Sequence, residues 1–204
     1  FDRVGLVMHE VFHSKQRELG LQGADPTNNQ LDQKDGRIWL RFELEALASA
    51  LESLGSDKVA ATKHVNDALV FRAMRRSLYP LADSLEPLLE MQEGLAEYTG
   101  EKLAMTVTGE GPSRVAKKVR DFESSPTYVR SFAYGTGPAL GVLLDEFAPK
   151  WKSELKENRD PARILAAHLH FAAPRQLARE ASRRSKAYRA DVILAEENAR
   201  DAKR

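Results

Sequence analysis

The 204 residues carry 31 Lys or Arg against 30 Asp or Glu, a net charge of +1, so no strong general attraction to nucleic acid or to an anionic membrane is expected. With 42% hydrophobic residues the chain can bury a substantial core and fits one large domain better than two. The absence of cysteine excludes a disulfide framework and thiolate chemistry and suits a cytoplasmic, periplasmic or secreted setting equally, and no apolar run is long enough to span a bilayer.

The first predicted helix runs from about Asp2 to Leu19 and ends near Gly20. It contains His9-Glu10-Val11-Phe12-His13, an HExxH motif. Residues four apart on a helix lie one above the other, so His9 and His13 can offer two imidazole nitrogens to one tetrahedral ion, with Glu10 turned toward the water that ion would carry. The flanking Gly5-Leu6-Val7-Met8 and the enclosed Val11-Phe12 predict a helix that is apolar on its buried side. The alternative is two solvent-facing histidines on an ordinary amphipathic helix.

Leu21 to Gly36 reads as the longest loop, rich in Gly, Asp, Asn and Gln, and able to form one wall of a cleft. A second helix, Arg37 to Leu54, places Trp39, Phe42, Ala46, Leu47, Ala50, Leu51 and Leu54 at helical spacing. Glu43 falls inside that stripe, where a carboxylate is costly to bury unless paired. It is either the partner of a buried arginine or histidine or part of the outer surroundings of a metal. Glu45 points elsewhere and is expected to be solvated. A third helix is expected from Asp57, capped by Ser56, to Tyr79, where Pro80 stops it. Its His64 has three readings: a solvated histidine, a satisfied core histidine or an oxyanion donor.

After Pro80 and Pro87, a helix is predicted to run to about Val107 through Met91-Gln92-Glu93-Gly94-Leu95-Ala96-Glu97-Tyr98. Two histidines leave an ion under-coordinated, and catalytic zinc usually takes three protein ligands, which makes Glu93 the candidate third. Gly94 in mid-helix costs about 1 kcal/mol relative to alanine and implies a close backbone approach, here expected from the helix that carries the metal. Glu97, one turn after Glu93, could accept a hydrogen bond from the far nitrogen of a ligand histidine. Without the HExxH motif, both glutamates would read as solvated.

Gly109-Glu110-Gly111-Pro112 breaks the chain ahead of a short basic helix, Ser113 to Phe122. Thr127 to Phe147 is read as a kinked or tightly packed helix interrupted by Gly135, Gly137, Pro138 and Gly141. Its Tyr134 is the candidate electrophilic hydroxyl, able to donate to a tetrahedral oxyanion, or else a core tyrosine bonded to a backbone carbonyl. Arg130 reads as a surface residue. Pro149 to Asn158 and Pro161 to Ala172 come next as helices, the latter with His168 and His170, which point to different sides and are expected to be structural. From Pro174 a long charged helix is expected, with nine Lys or Arg against five Asp or Glu and no base-reading motif, so a solvated surface helix is the reading and no nucleic acid is the expected partner.

HExxH followed by E-G-L-A-E-Y resembles the gluzincin zinc metallopeptidases, especially the peptidase MA-like group. A weaker third likeness is Phe132-Ala133-Tyr134-Gly135-Thr136-Gly137, and the whole chain is loosely similar to uncharacterised bacterial members of that group. The resemblance implies Zn2+ held by His9, His13 and Glu93, with Glu10 as general base, Glu97 supporting a ligand histidine, and a peptide or protein as substrate. It also implies that the HExxH and EGLAEY helices face each other in a helical zincin-like domain. In such enzymes a small β-sheet usually precedes the HExxH helix, yet only eight residues stand ahead of His9. The expectation is therefore a mainly α domain over residues 1–204 that lacks this sheet, and the abrupt beginning and end favour a segment of something longer. The competing class is a non-catalytic helical binding or scaffold domain, or a relative that has lost turnover.

Overall fold

Two long helices frame the molecule. Lys34–Ser53 (α2) spaces Leu40, Leu44, Leu47 and Leu51 one turn apart, and all four are fully buried. Lys58–Leu78 (α3) returns along α2 and buries Val65 and Phe71 against it, forming a helical hairpin. The cap of α3 is Asp57 rather than Ser56. Asp57 takes the extended backbone of a cap, and its side chain accepts the Ala60 N–H at 2.9 Å. The structure, a computed structural model, describes residues 3–203, and all the regular secondary structure among them is helical. No helix among the described residues is long and apolar enough to cross a membrane.

A second rod carries the acidic motif. Ala82–Leu89 (α4), a π-helical turn over Glu90–Gly94 and Leu95–Thr108 (α5) succeed one another without a break. Pro87 does not mark the start of this rod but lies inside α4, where it forgoes only its own bond to the second residue of the helix. The π turn closes where the Leu95 N–H reaches Glu90 O, one residue wider than α spacing. Gly109, at φ 74°, terminates α5 in the left-handed conformation that glycine adopts without penalty.

Arg3–Gln16 (α1) packs chiefly on α5. The predicted start at Asp2 lies outside the described residues. The expected apolar burial of α1 is met only at Phe12, which packs on the core: Leu6, Val7 and Val11 are 47%, 58% and 43% exposed, whereas Gly5, His9 and Gln16 are buried. Gly5 explains the inversion. A Cβ on Gly100 would lie 2.4 Å from Gly5 O, so the two helices touch backbone to backbone, and the face bearing the polar motif residues turns inward.

Ser113–Glu123 (α6) and Ala133–Phe147 (α7) close the opposite side, α6 against α2 and α7 against the π turn and α5. The helix expected from Thr127 begins only at Ala133, after a turn. Gly94 is indeed approached closely, but by α7 rather than by α1: a Cβ on Gly137 would lie 2.2 Å from Gly94 Cα. Gly137→Ala therefore forces backbone apart. The expected loss is about 1–3 kcal/mol, in the range of overpacked cores, read as a lower urea midpoint at unchanged slope.

The remaining helices are short: Trp151–Glu154 (α8), Pro161–His168 (α9), Leu177–Ser185 (α10) and Ala190–Asp201 (α11). The stretch expected as one long solvated helix is thus two, broken where Arg189 takes a positive φ of 50°. Burial is the reason. Tyr188 and Ile193 join the core, and Glu197 is buried against α2, accepting from Arg37 at 2.5 Å and from Arg41 at 3.1 Å. Glu45 is likewise buried rather than solvated, paired with Arg120 and, at 3.0 Å, with Arg189.

Candidate metal centre

Helix α1 brings His9 and His13 to the π turn. Their Nε2 atoms lie 3.0 Å apart, and Glu93 Oε2 lies 3.5 Å from the first and 3.4 Å from the second. Among the described residues these three form a cluster able to offer one ligand atom each. A tetrahedral ion with bonds of about 2.0–2.1 Å needs ligand atoms roughly 3.3 Å apart, so the three spacings fit one face of such a tetrahedron.

The tautomers are set by the outer nitrogens. His9 Nδ1 lies 2.8 Å from Glu97 Oε2, and a carboxylate can only accept, so Nδ1 carries the hydrogen and Nε2 presents a lone pair. His13 Nδ1 lies 3.1 Å from Gln16 Oε1. The Gln16 amide nitrogen is already spent on Met91 O at 2.7 Å and on Leu21 O and Gln92 O at 3.2 Å, so its oxygen faces His13 as acceptor. In the neutral tautomers that Glu97 and Gln16 select, with the Gln92 amide nitrogen a more distant neighbour of His13 Nδ1 at 3.5 Å, both imidazoles aim lone pairs at the same point as a carboxylate oxygen. Three acceptors converging at this distance repel one another unless a proton or a cation lies between them.

The bond to Glu97 raises the His9 pKa, with burial opposing it. Burial pushes the Glu97 carboxyl up, but His9 and Lys118 outweigh it and hold it below the usual range. Lys118 of α6 reaches both Glu97 and Glu101, the latter at 2.6 Å, and so neutralises the carboxylate that orients His9.

Tyr134, at the start of α7, donates its hydroxyl to Glu93 Oε2 at 2.7 Å and stacks on the His9 ring with centroids 5.9 Å apart. Its partner is thus the candidate ligand, not a backbone carbonyl. Burial and the bond to Glu93 raise its pKa, so the phenol stays protonated at neutral pH and remains a donor. Glu10 is exposed on α1, next to His9 in the chain, and its charge adds to the effects that raise the His9 and Tyr134 pKa.

Other candidates lie elsewhere. Glu43 accepts from Arg72 at 2.7 Å and from Arg75 at 2.5 Å, which matches the ion-pair reading and not that of a group surrounding the metal. Burial costs there are met by cations supplied from α3. His64 Nδ1 lies 2.7 Å from the Tyr188 hydroxyl, which in turn donates to Asp67 at 2.7 Å, and none of these three is among the residues of the cluster. Arg130 is exposed and pairs with Asp25, and His168 is exposed and lies 2.9 Å from Glu154.

Two contributors were not anticipated, Gln16 and Lys118. Gln16 carries a legible signal, three residues after His13 and seven after His9, hence on the histidine face. Lys118 carries none, because only the packing of α6 brings it in. No protein-family model matches this chain, and no curated protein and no solved structure matches it either.

Proposed function

We propose that this chain is a zinc-dependent metallopeptidase. The observation that carries the reading is the convergence of the His9, His13 and Glu93 atoms at the edge lengths of a tetrahedron, with Glu97 and Gln16 oxygens at the outer nitrogens of the two imidazoles. Two histidines and a glutamate form one of the donor sets of catalytic zinc. Bound there, zinc would polarise a scissile carbonyl and bring the pKa of its water to about 7.

The chain's own residues supply the rest. Glu10 accepts a proton from the attacking water as its oxygen bonds to the carbonyl carbon, and delivers that proton to the amine nitrogen as the C–N bond breaks; the second water proton follows from the new carboxyl group, leaving a carboxylate and an ammonium. Tyr134, kept protonated, would turn its hydroxyl from Glu93 Oε2 to the oxygen on which negative charge develops. Glu97 and Gln16 hold the rings of His9 and His13 in place. Peptide as substrate class comes from the motif resemblance.

The test is metal content under non-chelating conditions. One zinc per chain is expected, and Glu93→Ala should weaken zinc by more than the roughly 100-fold that outer partners typically carry. A wild-type protein that purifies free of zinc and takes up none on titration would overturn the assignment. Zinc bound without hydrolysis of any peptide in a diverse library would instead mark a relative that has lost turnover.

A further inference from the structure

Glu86, Glu90, Glu93, Glu97 and Glu101 succeed one another at intervals of four, three, four and four residues. In an uninterrupted α-helix all five would project within a sector of about 80°. The structure divides them instead. Glu86 and Glu90 meet the arginines of α3, whereas Glu93 and Glu97 meet the histidines of α1. The dividing element is the π turn over Glu90–Gly94. Its one additional residue rotates α4 by about 100° relative to α5.

A π turn is rare, and an α-helix is its easy alternative, so tertiary contacts must hold it. Glu90, the first residue of the turn, is almost completely buried. It accepts from Arg72 at 2.8 and 2.6 Å and from the Thr136 hydroxyl at 2.6 Å. Arg72 is held in turn by Glu43 at 2.7 Å. Thr136 stands on α7 between Tyr134 and Gly137, the residue that touches Gly94. A single carboxylate therefore ties the start of the π turn both to α3 and to the helix that presents Tyr134. Buried ion pairs are weak contributors to stability, since desolvation offsets the attraction, so the value of this cluster lies in geometry.

We infer that Arg72, Glu90 and Thr136 act as a register lock: they hold the π turn and so aim Glu93 at His9 and His13. They are positioning residues, and the inference rests on the metal reading above.

The experiment measures zinc affinity by chelator competition and the visible absorption of the cobalt(II)-substituted protein, in the full chain, well below its melting temperature. Thr136→Val removes one hydroxyl at nearly constant shape. It is expected to weaken zinc by about 10- to 100-fold and to alter the cobalt spectrum, with Thr136→Ser restoring both. Glu90→Gln should act in the same direction. Should Thr136→Val not fold, Thr136→Ala carries the same comparison. Folded variants with wild-type zinc affinity and an unchanged cobalt spectrum overturn the lock and leave the metal assignment standing. A wild-type chain that binds neither zinc nor cobalt overturns both.

Discussion

Glu10→Gln is expected to lower peptide hydrolysis by about 10²- to 10⁴-fold, the usual share of a general base, while zinc stays bound at wild-type stoichiometry. Glutamine keeps the shape of the side chain but cannot accept and return a proton. The residue is exposed and is not among the three acceptors that converge, so neither packing nor the donor set changes. The comparison is kcat/KM and metal content for the two proteins, measured on one preparation each. Equal rates would remove Glu10 from its role, and loss of zinc would show that it holds the cation.

The second large effect falls on stability. Arg75→Leu is expected to cost about 3–5 kcal/mol, the range for removing one partner of a buried ion pair, and a large part of the roughly 5–15 kcal/mol that typically separates folded from unfolded chains. Arg75 is fully buried and donates to Glu43 at 2.5 Å and to Glu86 at 2.7 and 3.0 Å. Leucine leaves those carboxylates short of a cation. Burial alone would raise the Glu86 pKa, yet Arg75, with Arg76 and Arg72, holds it at about 2 against an ordinary value of 4.5. A carboxyl depressed on folding contributes stability that is complete above the ordinary value and is lost as pH falls toward the folded one. Urea midpoints should therefore decline in wild type as pH falls from 4.5 toward 2, and decline less steeply in Arg75→Leu, whose Glu86 is less depressed. A midpoint within experimental error of wild type at neutral pH would contradict this account.

Much of the architecture is legible in the residue pattern alone. The apolar spacing of α2 marks its buried face and its end, though the helix begins at Lys34, three residues before the Arg37 read from the pattern, and Gly109 marks the end of α5. The intervals between His9 and His13 and between Glu93 and Glu97 likewise state which side chains can share a helix face. What escapes the sequence depends on contacts distant along the chain. Nothing local encodes the π turn, because its cause is Arg72 and Thr136 meeting Glu90 from two other helices. Nothing in residues 174–204 announces the break at Arg189, a non-glycine residue in a left-handed conformation that serves the burial of Tyr188 and Ile193. The inversion of α1 misleads for a different reason. Apolar residues ordinarily define the inner face, but here a glycine contact and a polar cluster claim it, and Leu6, Val7 and Val11 are left outside.

Helix α1 meets α5 at a contact between glycine backbones, and its His9 and Gln16 side chains bond to Glu97 and to the Met91 carbonyl of the second rod. An ion gripping His9, His13 and Glu93 at once would act as a cross-link, stapling α1 to the bundle. Under the metal reading, mass action would couple the two events: free cation in excess of its dissociation constant would stabilise the docked helix, and chelation would loosen the hold on the helix that carries Glu10.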